Sequence, residues 1–84
     1  MLENIDERNI VKFKSAPFYY SKEKAGLKPN TVRRVESDER FSKLTNRTAH
    51  FITIQNSKNG KQFIRRITDI SFWEGLVIIS WEAL

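Results

Sequence analysis

The clearest pattern in the chain is an alternation over residues 61–70. Phe63, Arg65, Ile67 and Asp69 fall on one side of an extended backbone, and Ile64, Arg66, Thr68 and Ile70 on the other. Upstream, residues 50–56 hold Phe51, Ile52, Thr53 and Ile54, a β-branched and aromatic run that reads as a strand. Asn59-Gly60 lies between the two, and this dipeptide suits the positive φ values of a tight turn. Residues 50–70 therefore predict an antiparallel hairpin. Leu76-Val77-Ile78-Ile79-Ser80-Trp81 is nearly all apolar and predicts a buried last strand, after a connection over 71–75.

The first half is less periodic. Residues 9–14, Asn-Ile-Val-Lys-Phe-Lys, alternate toward their end and predict a strand. Pro17 suits the first turn of a helix, with Ser15 the candidate N-cap. Residues 18–25 then give two turns, and Gly26 the left-handed stop. Lys28-Pro29-Asn30 reads as a turn, 31–35 as a short strand and 37–39 as a loop; 40–46 carry no assignment. The expected fold is α+β: a small mixed β-barrel of about five strands with one helix after the first strand, whose closure removes exposed edges. Residues 1–8 are polar and expected to be a flexible N-terminus, leaving 9–84 as a single domain.

Composition narrows the function classes. The chain has 84 residues, enough for one small domain with a thin core. Ten aromatics and 39% hydrophobic residues argue against a disordered chain. With no cysteine and one histidine, His50, a disulfide framework, a cysteine nucleophile and a thiolate or histidine-rich metal site are excluded, and no metal or cofactor is expected. No apolar run reaches the ~18 residues of a membrane span, and residues 1–8 do not resemble a secretory signal, so a cytoplasmic protein is expected.

The net charge is +5, and its distribution matters more than its size. Residues 8–34 carry eight basic side chains and one acid, Glu23; residues 40–66 carry seven basic side chains and no acid. Three acids in 35–39 separate the two blocks. Brought to one face, the blocks would attract phosphate; kept apart, they are an ordinary solvated surface.

Gly26-Leu27-Lys28-Pro29-Asn30-Thr31-Val32-Arg33 has the form Gly-x-Lys-x-x-Thr-x-Arg, between a predicted helix and a predicted strand. This pattern resembles the signature of the ASCH superfamily, whose fold is similar to the PUA domain of RNA-modifying proteins. The likeness extends to Asp38-x-Arg40, to Arg65-x-Ile67-Thr68-Asp69-Ile70 and to the apolar final strand, over about residues 10–82. It implies a pocket beside the helix that takes RNA or a modified nucleoside. Some bacterial members hydrolyse the amide of acylated cytidines with a Lys, a Thr and a Glu. Lys28 and Thr31 match the first two. The glutamate has no secure match; Glu74 and Glu82 are candidates by order along the chain.

The same residues carry chemistry of their own. Gly26 permits close approach to the backbone. Lys28 supplies a cation for a phosphate or an oxyanion, and Asn30 an amide beside it. Thr31 offers a hydroxyl that needs a base to act as a nucleophile. Arg33 and Arg34 point to opposite faces, and the inward one needs a carboxylate or an anion. Singly, each also has a plain reading: Gly26 a helix stop, Lys28 a solvated turn residue, Thr31 a β-former, and Arg33 a partner of Asp69 or Glu36. Arg65 and Arg66, interleaved with aromatics, suit single-stranded nucleic acid or serve as an edge charge. Trp73, in the connection, is the aromatic expected to be most exposed and able to stack on a base.

Three functions follow as expectations. The first is an RNA- or nucleotide-binding module, with Gly26, Lys28, Asn30, Arg33, Arg40, Arg65, Arg66 and Trp73 in contact with ligand. The second is a small amidohydrolase on a modified nucleoside, with Lys28, Thr31 and Glu74 catalytic. The third is a viral (phage) or mobile-element factor that binds a host protein.

Overall fold

Antiparallel pairing organises the second half of the chain. Strand β3 (Phe51–Asn56) turns back into β4 (Gln62–Trp73), which turns again into β5 (Leu76–Trp81). The first half supplies β1 (Ile10–Ser15), helix α1 (Pro17–Lys24), β2 (Asn30–Arg34) and helix α2 (Glu39–Thr45), after a 3-10 turn at Glu7–Asn9. The computed structural model describes residues 7–82, so the expectation of a flexible segment falls mostly on residues 1–6, outside the described residues.

The five strands form one mixed sheet in the order β1-β3-β4-β5-β2, with β1 parallel to β3 and the other pairs antiparallel. β4 is long enough to serve both halves. Its first part pairs with β3, its last part with β5, and the register breaks between Ile67 and Asp69. Such an irregularity bends the strand, and here it curls the sheet into a half-barrel. Val11, Phe13, Ile52, Ile54, Phe63, Ile70, Val77 and Ile79 fill the concave side.

Two helices are present where one was expected. Asp38 caps α2 by accepting from the Arg40 backbone N–H at 3.0 Å, and Phe41 and Leu44, three residues apart, bury against the sheet. Seven residues with two apolar contacts are too short for a helical period to show in the sequence. Ser15 does not cap α1. It ends β1, and Ala16 takes the N-cap position without a side-chain bond, Pro17 beginning the helix. The connection over 71–75 is also shorter than expected: β4 runs to Trp73, leaving the two-residue turn Glu74-Gly75, with φ of 48° and 77°. Both residues are left-handed, as a tight hairpin turn requires, and glutamate is not a residue that announces it.

The sheet order leaves β1 and β2 as its two edges. The open edge of β1 presents the carbonyls of Ile10, Lys12 and Lys14, and each meets a cation. Lys43 Nζ donates to Ile10 O at 3.3 Å, Arg40 Nη1 to Lys12 O at 3.1 Å and Arg33 Nη1 to Lys14 O at 2.8 Å. Arg33 belongs to β2, so its side chain ties the far edge back to the first strand. Side chains thus satisfy acceptors that a closed barrel would pair with another strand.

Arg33→Lys is expected to lower the unfolding free energy by about 2 kcal/mol. One ammonium cannot reproduce the three contacts of the guanidinium, to Lys14 O, Thr31 Oγ1 and Ser15 Oγ, and each lost hydrogen bond counts for about 1 kcal/mol. Urea unfolding measures this; a loss under about 0.5 kcal/mol would show that the tie does not hold the half-barrel shut.

Candidate functional site

The gap bridged by Arg33 opens onto a hollow of about 330 Å³ between the end of β1, helix α1 and β2. Lys28, Thr31 and Arg33 all line it. Gly26, at φ 81°, ends α1 and turns the chain so that Lys28 comes back beside the helix. Its neighbours Leu27 and Lys28 both donate their N–H to Lys22 O, which fixes the turn. Thr31 and Arg33, two apart on β2, face the same side.

Glu23 also lines this hollow, and it is the residue that sequence reading missed. It lies 1% exposed on α1, with Oε2 3.7 Å from Lys28 Nζ and Oε1 without a hydrogen-bond partner. Its spacing gave one usable signal: Glu23 follows Tyr20, the buried aromatic of α1, by three, placing it on the side of the helix that looks toward the sheet. Glu74 sits in the β4–β5 turn and Glu82 just after β5; both are exposed and neither lines the hollow. Glu82 instead lies 3.4 Å from Arg66 Nε.

Each nitrogen of the Arg33 fork makes one hydrogen bond. Nε donates to Thr31 Oγ1 at 2.9 Å, Nη1 to Lys14 O, and Nη2 to Ser15 Oγ at 3.0 Å. Asp69 and Glu36 are not its partners: Asp69 accepts from Ser71 and Glu36 pairs with Arg40. Burial pulls the Arg33 guanidinium below its ordinary pKa, while the charge of Glu23 pushes it up and that of Arg40 pushes it down. It remains a cation at any accessible pH. Lys28 donates to Asn30 O at 2.8 Å, so Asn30 serves the site through its backbone. The Lys28 ammonium also stands over the Tyr19 ring, 5.9 Å from its centre.

A second hollow of about 570 Å³ adjoins the first, lined by Lys12, Lys14, Arg33, Arg40 and Gln55. Lys14 and Arg33 belong to both. The two guanidiniums flank one buried ring, Arg40 at 4.5 Å and Arg33 at 5.1 Å from the centre of Phe13. Arg40 is partly neutralised by Asp38, through Nε to Oδ1 at 3.0 Å and Nη2 to Oδ2 at 2.8 Å. That pairing holds the Asp38 carboxyl below its ordinary pKa and raises that of Arg40.

The remaining candidates lie elsewhere. Arg65 stacks on Phe63 at 4.7 Å and donates to Lys24 O, the last carbonyl of α1. Arg66 stands 5.9 Å from the Phe51 ring on the other face of β4. Trp73 is 64% exposed at the end of β4, beside the β4–β5 turn. Among the described residues no group of three or more metal-binding side chains occurs. No helix of the described residues is long and apolar enough to cross a membrane. No protein-family model and no curated protein matches the chain.

Two predictions follow from this geometry. Glu23→Gln should leave the melting temperature unchanged or raise it, because a buried carboxylate with an unpartnered oxygen is costly to fold around. A fall of several degrees in a thermal scan would show that Glu23 is there for stability. The depressed pKa of Asp38 means that its contribution is complete above the ordinary carboxylate value of ~3.9 and is lost as pH falls through the lower folded value. Protection factors of the α2 amides, taken against the intrinsic exchange rate at each pH, should therefore fall at the acid end in the wild-type protein, and Asp38→Asn should remove that fall.

Proposed function

We propose that the joined hollows bind one nucleotide unit of a single-stranded RNA, the base in the first and its phosphate in the second. The observation that carries this reading is Glu23: a buried carboxylate with a free acceptor, at a hollow that runs directly into a patch of four cations. An acceptor facing a polar hollow suits the N–H edge of a base with an exocyclic amine. The exposed Tyr19 ring offers a surface for stacking. Lys12, Lys14, Arg33 and Arg40 suit a phosphate. The small half-barrel with its helix-to-strand turn accords with an ASCH- or PUA-like domain, and a cytoplasmic location and a phage origin belong to the same proposal.

A second reading has one observation in its favour. Glu23 approaches Lys28 to 3.7 Å, so a carboxylate stands beside the lysine, a position for which the amidohydrolase reading had Glu74 or Glu82 to offer. In that reading Glu23 takes a proton from the water that attacks the acyl carbon and passes it to the amine that leaves as the C–N bond breaks, Lys28 stabilises the oxyanion formed on the acyl carbonyl, and Thr31 orients the substrate. Incubation with an N-acylated nucleoside distinguishes the two: release of the free acid, lost in Glu23→Gln, establishes hydrolysis, and no release leaves binding alone.

Binding itself is tested by fluorescence anisotropy with short single-stranded RNA across a salt series. One neutralised phosphate on a single strand gives an expected log–log slope of about −0.7. Lys28→Ala should weaken binding about tenfold, since it removes the cation beside the base hollow and leaves Glu23 without its counter-charge. A flat salt response, or equal affinity in the variant, would sink the proposal.

A further inference from the structure

Helix α1 has a second flank, away from the hollows described above. There a groove of about 530 Å³ runs between α1 and the β3–β4 turn, lined by Tyr20, Ser21, Lys24, Asn56, Asn59 and Lys61. We infer that this groove is a separate binding site for a phosphate group, recognised by the Tyr20 hydroxyl and by the ammonium groups of Lys24 and Lys61.

Three observations support the assignment. The first is Tyr20. The residue is 5% exposed, its ring packs 5.4 Å from that of Phe63, and its hydroxyl is buried with no hydrogen-bond partner. Such a group costs stability unless something accepts from it, and phenylalanine would fill the same space without the penalty. The second is the chemistry of the rim. No carboxylate lines the groove. Both asparagines have their side-chain oxygens occupied by turn amides, Asn56 Oδ1 accepting from Lys58 N at 2.9 Å and Asn59 Oδ1 from Lys61 N at 3.0 Å. What they can turn to a ligand is the Nδ2 amide. The groove therefore presents two ammonium groups, two amides and the Ser21 hydroxyl, with the buried, unpartnered phenol of the lining residue Tyr20 beneath them.

The third concerns the end of α1, where exposed carbonyls would repel an anion. Those carbonyls are already taken. Ser21 O accepts from Ala25 N, Lys22 O from Leu27 N and Lys28 N, Glu23 O from Gly26 N, and Lys24 O from Arg65 Nη2. The helix end beside the groove is thus screened, and a hydrogen-bonding anion with several acceptor oxygens fits what remains. This site does not rest on the nucleotide reading of the first two hollows. The phosphate has two possible sources, a free phosphate or a phosphodiester of an RNA that passes over α1, a helix only ~10 Å across.

Titration of the labelled protein with inorganic phosphate, and separately with a short single-stranded RNA, followed by amide NMR, tests the assignment. Shifts are expected at Ser21, Asn59 and Lys61 with at least one of the two probes. Shifts with phosphate alone identify a free-phosphate site, and shifts with RNA alone a phosphodiester site. Tyr20→Phe should weaken the response about fivefold while leaving the melting temperature unchanged or higher, and Lys24→Ser/Lys61→Ser should abolish it. Shifts confined to the Arg33 and Arg40 surroundings, no shifts with either probe, or an undiminished response in Tyr20→Phe would overturn the site. Because Lys28 and Glu23 lie outside the groove, failure here and failure of the nucleotide reading are separately visible.

Discussion

The structure depends on how one strand edge is satisfied. β1 has a partner on one side only, and a curled five-stranded sheet does not bring β2 close enough to supply the other. Three carbonyls in alternate positions along that edge are met instead by Lys43, Arg40 and Arg33, from α2, its first turn and β2. Charged donors make stronger hydrogen bonds than neutral ones and keep the edge from pairing with another chain. The arrangement has a consequence for binding. Cations recruited to close the sheet stand in the gap they close, so two of them, Arg33 and Arg40, also line the hollows there. A strand in the same place would have left no opening and no charge.

Glu23 is the counterpart on the acidic side. It has been placed under α1 with one oxygen near Lys28 and the other unpartnered, in an arrangement that gains little for folding. Tyr20, three residues earlier on the same side of the helix, carries the same kind of cost beside a different hollow. An eight-residue helix with two buried, unsatisfied polar groups, on residues that line two different hollows, departs from what stability alone would select. Neither is needed to hold α1 in place: the tyrosine ring packs whether or not it carries a hydroxyl, and a shorter apolar side chain could occupy the position of Glu23.

Much of the fold was legible because its signals are local. The alternation in 61–67 and the glycine of Asn59-Gly60 mark the β3–β4 hairpin without reference to the rest of the chain, whereas the register break that brings Ile70 to the side of Phe63, and the five-residue length of the loop between the strands, are not in that pattern. The turn that ends α1 is announced by Gly26 in the same way. The second helix was not legible, because Phe41 and Leu44 alone establish no period and Asp38 declares itself as a cap only once its hydrogen bond to Arg40 is seen. The end of β4 was misjudged because Glu74 adopts a left-handed conformation that its side chain does not advertise.

By itself the sequence determined that Lys28, Thr31 and Arg33 sit on a turn and the strand after it. It also determined that basic residues come in two blocks, since residue order and short-range backbone preference settle both. Only the tertiary structure decided that Glu23, rather than Glu74 or Glu82, joins Lys28, and that Arg33 meets Lys14 and Ser15 rather than a carboxylate. The physical reason is that these contacts depend on how α1 lies across the sheet and how far the sheet curls at Ile67. Both are set by packing among residues distant in the chain, which no window of local pattern contains.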